Sequence, residues 1–303
     1  MFVGDAVLLL ARIVFDLFAL CVLVIFVVPC RLGRAVGLLR ARPRKEFRSI
    51  LITGASAGIG EGLALQYATP GTRLFLVALQ EPSLQKVASA CKALGAEVQA
   101  TYLDVSDKVL METLIDGIDA SSPLDLVVAN AGIVGGDDDA CVRTNFLGLI
   151  HTLTPATKHM KRRGSGQLVI MSSLGGHAPT TNRYMTAYNA TKAAANSYGL
   201  GLRACLAAEG IGVTVVCPGF VRSRMTDGLA KQGVRFYGLW ETERACAVIK
   251  EGVSLNEPEV AFPMALNVIT RLLGAMPPWL KEIALPTLIS GDPFVVMDKA
   301  KKL

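Results

Sequence analysis

Charged residues are scarce in this chain, at 18% against 51% apolar. A composition that far to the apolar side requires either a large core or a membrane segment. No CxxC pair occurs. The seven cysteines, Cys21, Cys30, Cys91, Cys141, Cys205, Cys217 and Cys246, are odd in number and irregularly spaced. That excludes a disulfide framework and a zinc-ligand pattern, and fits small core hydrophobes in a reducing compartment. There is no internal repeat and no low-complexity tract. No basic cluster precedes the first apolar run, so a cleaved secretory signal is not expected.

That first run, Ala6 to Val28, is apolar apart from Arg12 and Asp16. As a helix rising about 1.5 Å per residue it would cross the roughly 30 Å hydrocarbon core of a bilayer. Arg12 and Asp16 are spaced i, i+4 and can pair on one face. Behind it lie Arg31, Arg34, Arg40, Arg42, Arg44, Lys45 and Arg48, opposed by Glu46 alone, which carry much of the net charge of +6. Beside an apolar span these read as a juxtamembrane stop segment on lipid headgroups, not a nucleic-acid surface. The positive-inside rule then puts the main domain on the cytoplasmic side. The competing reading is a buried soluble helix, which would have to hide an apolar surface all round. The expected organisation is a transmembrane anchor over residues 1–30, a basic linker over 31–48, a catalytic domain over 49–290 and a basic tail over 291–303.

From Ser49 onward short apolar runs alternate with helical patterns. Strands are expected at Ser49–Thr53, Arg73–Leu79, Glu97–Leu103, Leu124–Ala129, Gln167–Met171 and Gly212–Cys217, with a last one at Glu259–Phe262. Helices are expected at Gly58–Thr69, Pro82–Leu94, from a cap at Ser106 to about Ile118, at Ala140–Arg163 with a kink or break at Pro155, and at Ala187–Glu209. Weaker patterns place helices at Glu241–Lys250, Met264–Leu273 and Trp279–Leu288. The alternation predicts an α/β doubly wound parallel sheet, the Rossmann fold, behind an N-terminal transmembrane helix.

The first strand runs into Thr53-Gly54-Ala55-Ser56-Ala57-Gly58-Ile59-Gly60. Glycine there permits a sharp turn and close ligand approach, and the following helix offers free N–H groups to a pyrophosphate. Tyr188 and Lys192, spaced i, i+4, share one helical face. A neighbouring ammonium favours the phenolate and should lower the tyrosine pKa from about 10. Such a pair on a helix is also a common coincidence. Ser172-Ser173 could be an ordinary strand-end turn, Asn145 a buried structural amide, and Asp104 a turn residue.

Taken in order, however, these motifs resemble the short-chain dehydrogenase/reductase family in its compact form. The glycine turn is its nucleotide motif. Leu103-Asp104-Val105 is similar to its adenine-ring element, and Asn130-Ala131-Gly132 to its NNAG element. Asn145 matches the helix asparagine. Ser173, ahead of Tyr188-Asn189-Ala190-Thr191-Lys192, matches the serine of the YxxxK set. Pro218-Gly219-Phe220-Val221-Arg222-Ser223 matches the loop flanking the nicotinamide. The resemblance implies catalysis by Asn145, Ser173, Tyr188 and Lys192. It implies cofactor contacts from Gly54, Ser56, Gly58, Ile59, Gly60, Asp104, Val105, Asn130, Ala131, Gly132, Tyr188, Lys192, Pro218, Gly219, Val221 and Ser223. Tyr188 would pass a proton to or from a carbonyl or alcohol oxygen that Ser173 holds, while the nicotinamide supplies or takes the hydride.

Departures from the family pattern are informative. The segment from Ser173 to Tyr188, with His177, Asn182, Arg183 and Tyr184, is two residues longer than the family spacing, which leaves Ser172 as an alternative to Ser173. Asp137–Asp139 form an acidic loop in a shortened segment; a solvated loop is expected there, and no metal site. The cofactor is NADP or NAD, NADPH being the slightly favoured of the two. The selector position at the end of the second strand is Leu79, and Ala57 in the glycine turn is not basic either, so neither selector is present.

Phe262, Met264, Leu272, Trp279 and Leu280 fall where the family builds its substrate lid. An apolar lid on an anchored domain suits a lipophilic ketone, aldehyde or alcohol. The layout resembles ketodihydrosphingosine reductases and membrane hydroxysteroid dehydrogenases. Lys299 and Lys301 near the end are similar to an endoplasmic-reticulum retrieval signal or are simply a solvated tail. Expected partners are a small lipophilic substrate, the bilayer and, from family habit, a second copy in a homodimer. The alternatives are a non-catalytic dinucleotide sensor on the membrane and an enzyme acting on a soluble carbonyl.

Overall fold

A computed structural model describes residues 44–135, 137–179, 183–231, 235–236, 238–289 and 295–296. All belong to the compact unit Arg44–Leu303. The expected transmembrane helix and most of the basic linker lie outside the described residues. Among the described residues no helix is long and apolar enough to cross a membrane.

Strands β1 (Ser49–Thr53), β2 (Arg73–Ala78), β3 (Glu97–Tyr102), β4 (Leu126–Ala129), β5 (Gly166–Met171) and β6 (Ile211–Pro218) enter one sheet. With β8 (Glu259–Phe262) they make seven strands in the order β3-β2-β1-β4-β5-β6-β8, every pair parallel. Parallel sheets are covered on both faces, so their inner strands read as continuous apolar runs. Accordingly β1 and β4 are buried at every position, while the edge strand β3 is not. A short strand β7 (Arg235–Phe236) pairs antiparallel with β9 (Val295–Val296), so the expected basic tail contributes a strand.

The connecting helices are α1 (Gly58–Tyr67), α2 (Glu81–Ala93), α3 (Lys108–Ser121), α4 (Asp138–Val142), α5 (Gly148–Arg163), α6 (Arg183–Leu206), α7 (Arg224–Lys231), α8 (Thr242–Ser254), α9 (Met264–Ala275) and α10 (Pro278–Ile289). Leu63, Leu84, Val87 and Ile249 bring α1, α2 and α8 onto one face of the sheet. Met111, Ile115, Leu153 and Ala195 bring α3, α5 and α6 onto the other.

Several expected boundaries move. The cap of α3 is Asp107, whose carboxylate accepts from the Leu110 N–H at 3.0 Å; Ser106 instead donates its own N–H to Asp104. Pro155 sits inside α5 without ending it. The interruption comes earlier, where a π-helical turn, Arg143–Leu147, separates α4 from α5. Helix α6 starts four residues earlier than expected and ends in a 3₁₀ turn, Ala207–Glu209, closed by left-handed Gly210.

Strand order reverses between β1 and β4. The loops at their carboxyl ends therefore part and leave a crevice, the place where open α/β sheets bind ligands.

Candidate active site

The glycine turn lines that crevice. Gly58 has φ +58°, a conformation that side chains resist, and a Cβ there would stand 3.0 Å from the Ser223 Cβ. A Cβ on Gly60 would overlap the Gly54 carbonyl oxygen. Helix α1 begins behind Ala57 with no side-chain cap, which leaves its first-turn N–H groups facing the crevice. This is a cradle for a pyrophosphate, so the residues fit a dinucleotide. Asn130 braces the turn: its amide donates to the carbonyls of Thr53 at 3.0 Å and Gly54 at 3.3 Å. The Thr53 hydroxyl in turn accepts the Asn130 and Ala131 N–H groups at 3.1 and 3.2 Å. Val105 is buried, whereas Asp104 is exposed beside it.

At the ends of β4, β5 and β6 stand the groups that could carry chemistry. Tyr188 and Lys192 lie one turn apart on α6, with the Lys192 Nζ 5.6 Å from the centre of the Tyr188 ring. The Tyr188 hydroxyl is hydrogen-bonded to Ser173. Ser173 also donates to the Pro218 carbonyl at 3.4 Å and accepts the Gly175 N–H at 3.1 Å. Ser172 points away and donates to the Lys192 carbonyl at 2.7 Å. Of the two serines, it is Ser173 that faces the tyrosine.

Lys192 is buried and donates to the Met171 carbonyl at 2.8 Å. Burial pushes its pKa down from 10.5 to about 8. Burial also raises the Tyr188 pKa, with the Ser173 hydrogen bond pulling the other way. The expected lowering of the tyrosine pKa is thus not what this geometry produces. The ammonium is itself desolvated, and the loss of hydration outweighs any help it gives the phenolate.

Asn145 lies in the π-helical turn, almost wholly buried. Its carbonyl accepts the Ile133 N–H at 2.8 Å, and its amide donates to the Ile133 carbonyl at 2.9 Å and the Thr191 hydroxyl at 3.1 Å. A Cβ on Gly132 would lie 3.2 Å from Asn145 Oδ1 and 3.4 Å from Lys192 Nζ, so the Gly132 backbone joins these two side chains.

Geometry and sequence agree with known proteins. The profile for short chain dehydrogenases matches residues 48–233, a span that holds every motif described above. This chain belongs to the short-chain dehydrogenase family. An uncharacterized oxidoreductase of Myxococcus xanthus is 36% identical over 243 residues, which cover 77% of this chain and 94% of the relative. The 11-beta-hydroxysteroid dehydrogenase A of Sesamum indicum is 36% identical over 191 residues, 59% of this chain and 54% of its own, so the match spans about half of that relative. The 17-beta-hydroxysteroid dehydrogenase 13 of Mus musculus is 27% identical over 242 residues, 76% of this chain and 78% of its own. Among solved structures, levodione reductase superposes with a TM-score of 0.65 at 22% identity, over 73% of this chain and 97% of its own. ElxO with NADP bound gives 0.61 at 21% identity, over 71% and 98%. These two likenesses carry the fold. As a short-chain dehydrogenase, the protein is an NAD(P)-dependent oxidoreductase.

In this short-chain dehydrogenase the Pro218–Ser223 loop is firmly seated. The Gly219 N–H donates to the Phe262 carbonyl at 2.7 Å, buried Val221 bridges Trp240, and Ser223 accepts the Thr226 N–H at 3.3 Å. The acidic segment is structural: Asp137 accepts two N–H groups at the start of α4, and Asp139 pairs with Arg143. His177, Cys217 and Glu259 offer ligand atoms within 4.8 Å of one another, but both Glu259 oxygens are held by Arg271 at 2.5 Å. Burial pushes the Cys217 thiol up to about 12 and lowers the His177 pKa. Asn182 lies outside the described residues. Two residues were not singled out by sequence. Thr191 partners Asn145, and its signal was its place inside the Tyr188–Lys192 segment. Arg224 reaches the glycine turn from α7, and its signal was a basic residue directly after Ser223.

Proposed function

We propose that this enzyme interconverts a carbonyl and an alcohol on a lipophilic substrate at a membrane surface, with Tyr188, Ser173, Lys192 and Asn145 as its catalytic set. The observation that carries the chemistry is the hydrogen-bonded pair of Ser173 and Tyr188 beside buried Lys192. A bound nicotinamide supplies or accepts the hydride. In reduction, Tyr188 gives its proton to the substrate oxygen, and its raised pKa keeps that proton in place at neutral pH. Ser173 donates to the same oxygen and fixes it for transfer. Lys192, which here donates to the Met171 carbonyl, would hold the ribose of a bound cofactor. Asn145 fixes the Ile133 backbone and the Thr191 hydroxyl beside it.

The lipophilic substrate is supported by the lid. Helix α9 packs on the turn that follows Ser173, so closely that a Cβ on Gly274 would overlap the His177 carbonyl oxygen. Helices α9 and α10 also leave Met264, Ile269, Trp279 and Ile283 exposed, apolar side chains that an apolar substrate or a membrane surface could cover. The Ala6–Val28 apolar run, read as an anchor in an endoplasmic-reticulum-type membrane with the catalytic unit cytoplasmic, would tether the enzyme where lipophilic substrates partition. The hydroxysteroid dehydrogenase names of two relatives suit an apolar substrate.

The test is oxidation of NADPH and NADH by detergent-solubilised protein, followed at 340 nm with long-chain ketones, ketosteroids, retinal and a small soluble diketone. Turnover confined to the apolar members supports the reading. Turnover of the soluble diketone alone overturns the lipophilic part, and binding of dinucleotide without any turnover favours a sensor.

A further inference from the structure

Both positions from which the sequence could choose between NADP and NAD are neutral. Leu79 stands at the end of β2, 65% exposed, and Ala57 stands in the glycine turn. A cation nevertheless reaches the gap between those segments from a third. Arg224 is the first residue of α7, far along the chain and beyond β6. Its Nη1 donates to Gln80 Oε1 at 2.5 Å, and its Nη2 donates to the Ser56 carbonyl at 2.6 Å. The guanidinium thus bridges the glycine turn to the carboxyl end of β2. In this fold those two segments flank the adenosine ribose, where a 2′-hydroxyl or 2′-phosphate is told apart.

Among the described residues nothing compensates the charge on Arg224. Both acceptors are neutral, and no carboxylate among the described residues pairs with it. Arg222, two residues earlier, is neutralised by both oxygens of Glu241 at 3.0 Å. Arg224 is also well placed by its anchor. The Ser223 N–H donates to the Thr226 hydroxyl at 2.8 Å, and Ser223 sits against Gly58 of the glycine turn. A planar guanidinium with forked donors, held across neutral acceptors and open to solvent, is suited to a phosphate monoester.

We propose that Arg224, with Gln80 and the Ser56 segment, forms the binding site for the 2′-phosphate of NADPH, and so sets the enzyme's preference for NADPH over NADH. The phosphate takes over the guanidinium donors now spent on neutral oxygens, and the Gln80 side-chain amide turns its N–H₂ toward the same phosphate. A 2′-hydroxyl offers Arg224 no charge, so NADH gains nothing there. The inference rests on NAD(P) use by this family, not on the substrate reading.

The experiment is equilibrium titration of the full chain in detergent, using energy transfer from tryptophan to the reduced nicotinamide. NADPH and NADH are compared, with 2′,5′-ADP and 5′-ADP as competitors that report the phosphate alone. Wild-type protein is expected to bind NADPH at least about tenfold more tightly than NADH, the scale of a charge-assisted hydrogen bond. Arg224→Ala should weaken NADPH and 2′,5′-ADP by about that factor and leave NADH within about twofold. Gln80→Glu, which keeps the arginine but neutralises it with a carboxylate, should act in the same direction. The inference is overturned if wild-type protein binds the two dinucleotides equally, or if Arg224→Ala weakens both alike. Failure of either dinucleotide to bind would overturn the inference and NAD(P) use together; binding without discrimination would overturn the inference alone.

Discussion

The hydroxyls of Ser173 and Tyr188 are hydrogen-bonded to each other, while the hydroxyl of Ser172, one residue earlier, is turned to the Lys192 carbonyl at 2.7 Å. Adjacent serines therefore have separable roles. Ser173→Ala should lower kcat by about 10²–10³ with dinucleotide affinity unchanged, as for removal of one donor to a reacting oxygen. Ser172→Ala deletes a buried hydrogen bond and should cost about 1–2 kcal/mol of stability in urea unfolding, while retaining more activity than Ser173→Ala.

Asn145 carries a second prediction. Its side chain satisfies both backbone groups of Ile133 from within the π-helical turn. Asn145→Ala removes the partners of two part-buried Ile133 backbone groups from an otherwise buried position and should destabilise the protein by about 1–2 kcal/mol. Its effect on kcat should exceed its effect on NADPH affinity, which paired calorimetric and kinetic measurements would separate.

The pH dependence of stability tests the burial of Lys192. Its pKa falls from 10.5 when unfolded to about 8 when folded. Between those values the unfolded state binds more protons, so the Lys192 contribution to stability rises with pH across that window. Below pH 8 the full cost of burying the ammonium is felt. Lys192→Met should therefore stabilise the ligand-free protein relative to wild type at pH 7, and less so at pH 9.5. Taking the difference between the two proteins cancels the buried thiols, such as Cys217 and Cys246, whose raised values act in the opposite sense. Urea unfolding of both proteins at the two pH values gives the answer. A constant difference would contradict the burial.

The sheet was legible because its inner strands, Ser49–Thr53 and Leu126–Ala129 among them, are buried on both faces and read as unbroken apolar runs bounded by turn residues. The site was legible for a similar reason: its motifs sit at strand ends in fixed order, and Ser173, Tyr188, Lys192 and Asn145 do meet around one crevice. Less legible was anything set by contacts distant in sequence. The π-helical turn at Asn145 depends on hydrogen bonds to Ile133 and Thr191, so Pro155, the loudest local signal in that helix, pointed to the wrong place. The direction of the Tyr188 shift depends on burial, which spacing does not report. Arg224 reaches Ser56 across 168 positions, and only the fold brings them together.

Membrane attachment gives a further prediction. If the Ala6–Val28 run anchors the enzyme, the full chain should stay with membranes through alkaline carbonate extraction, and residues 44–303 alone should be released. The shorter chain should still bind weakly to neutral lipid vesicles through Trp279 and Ile283, which are 63% and 53% exposed, and Trp279→Ser should reduce that binding. Equal release of both chains would contradict the anchor.

The central claim, that Tyr188 is the proton donor and acceptor of an NAD(P)-dependent enzyme, is tested most directly by Tyr188→Phe. The variant removes one hydroxyl and keeps the ring. The account predicts a loss of kcat of at least about 10²–10⁴, the usual worth of a positioned acid–base group, with the dinucleotide dissociation constant unchanged within about twofold, a shift of under half a kcal/mol. A variant that turns over at the wild-type rate would contradict it.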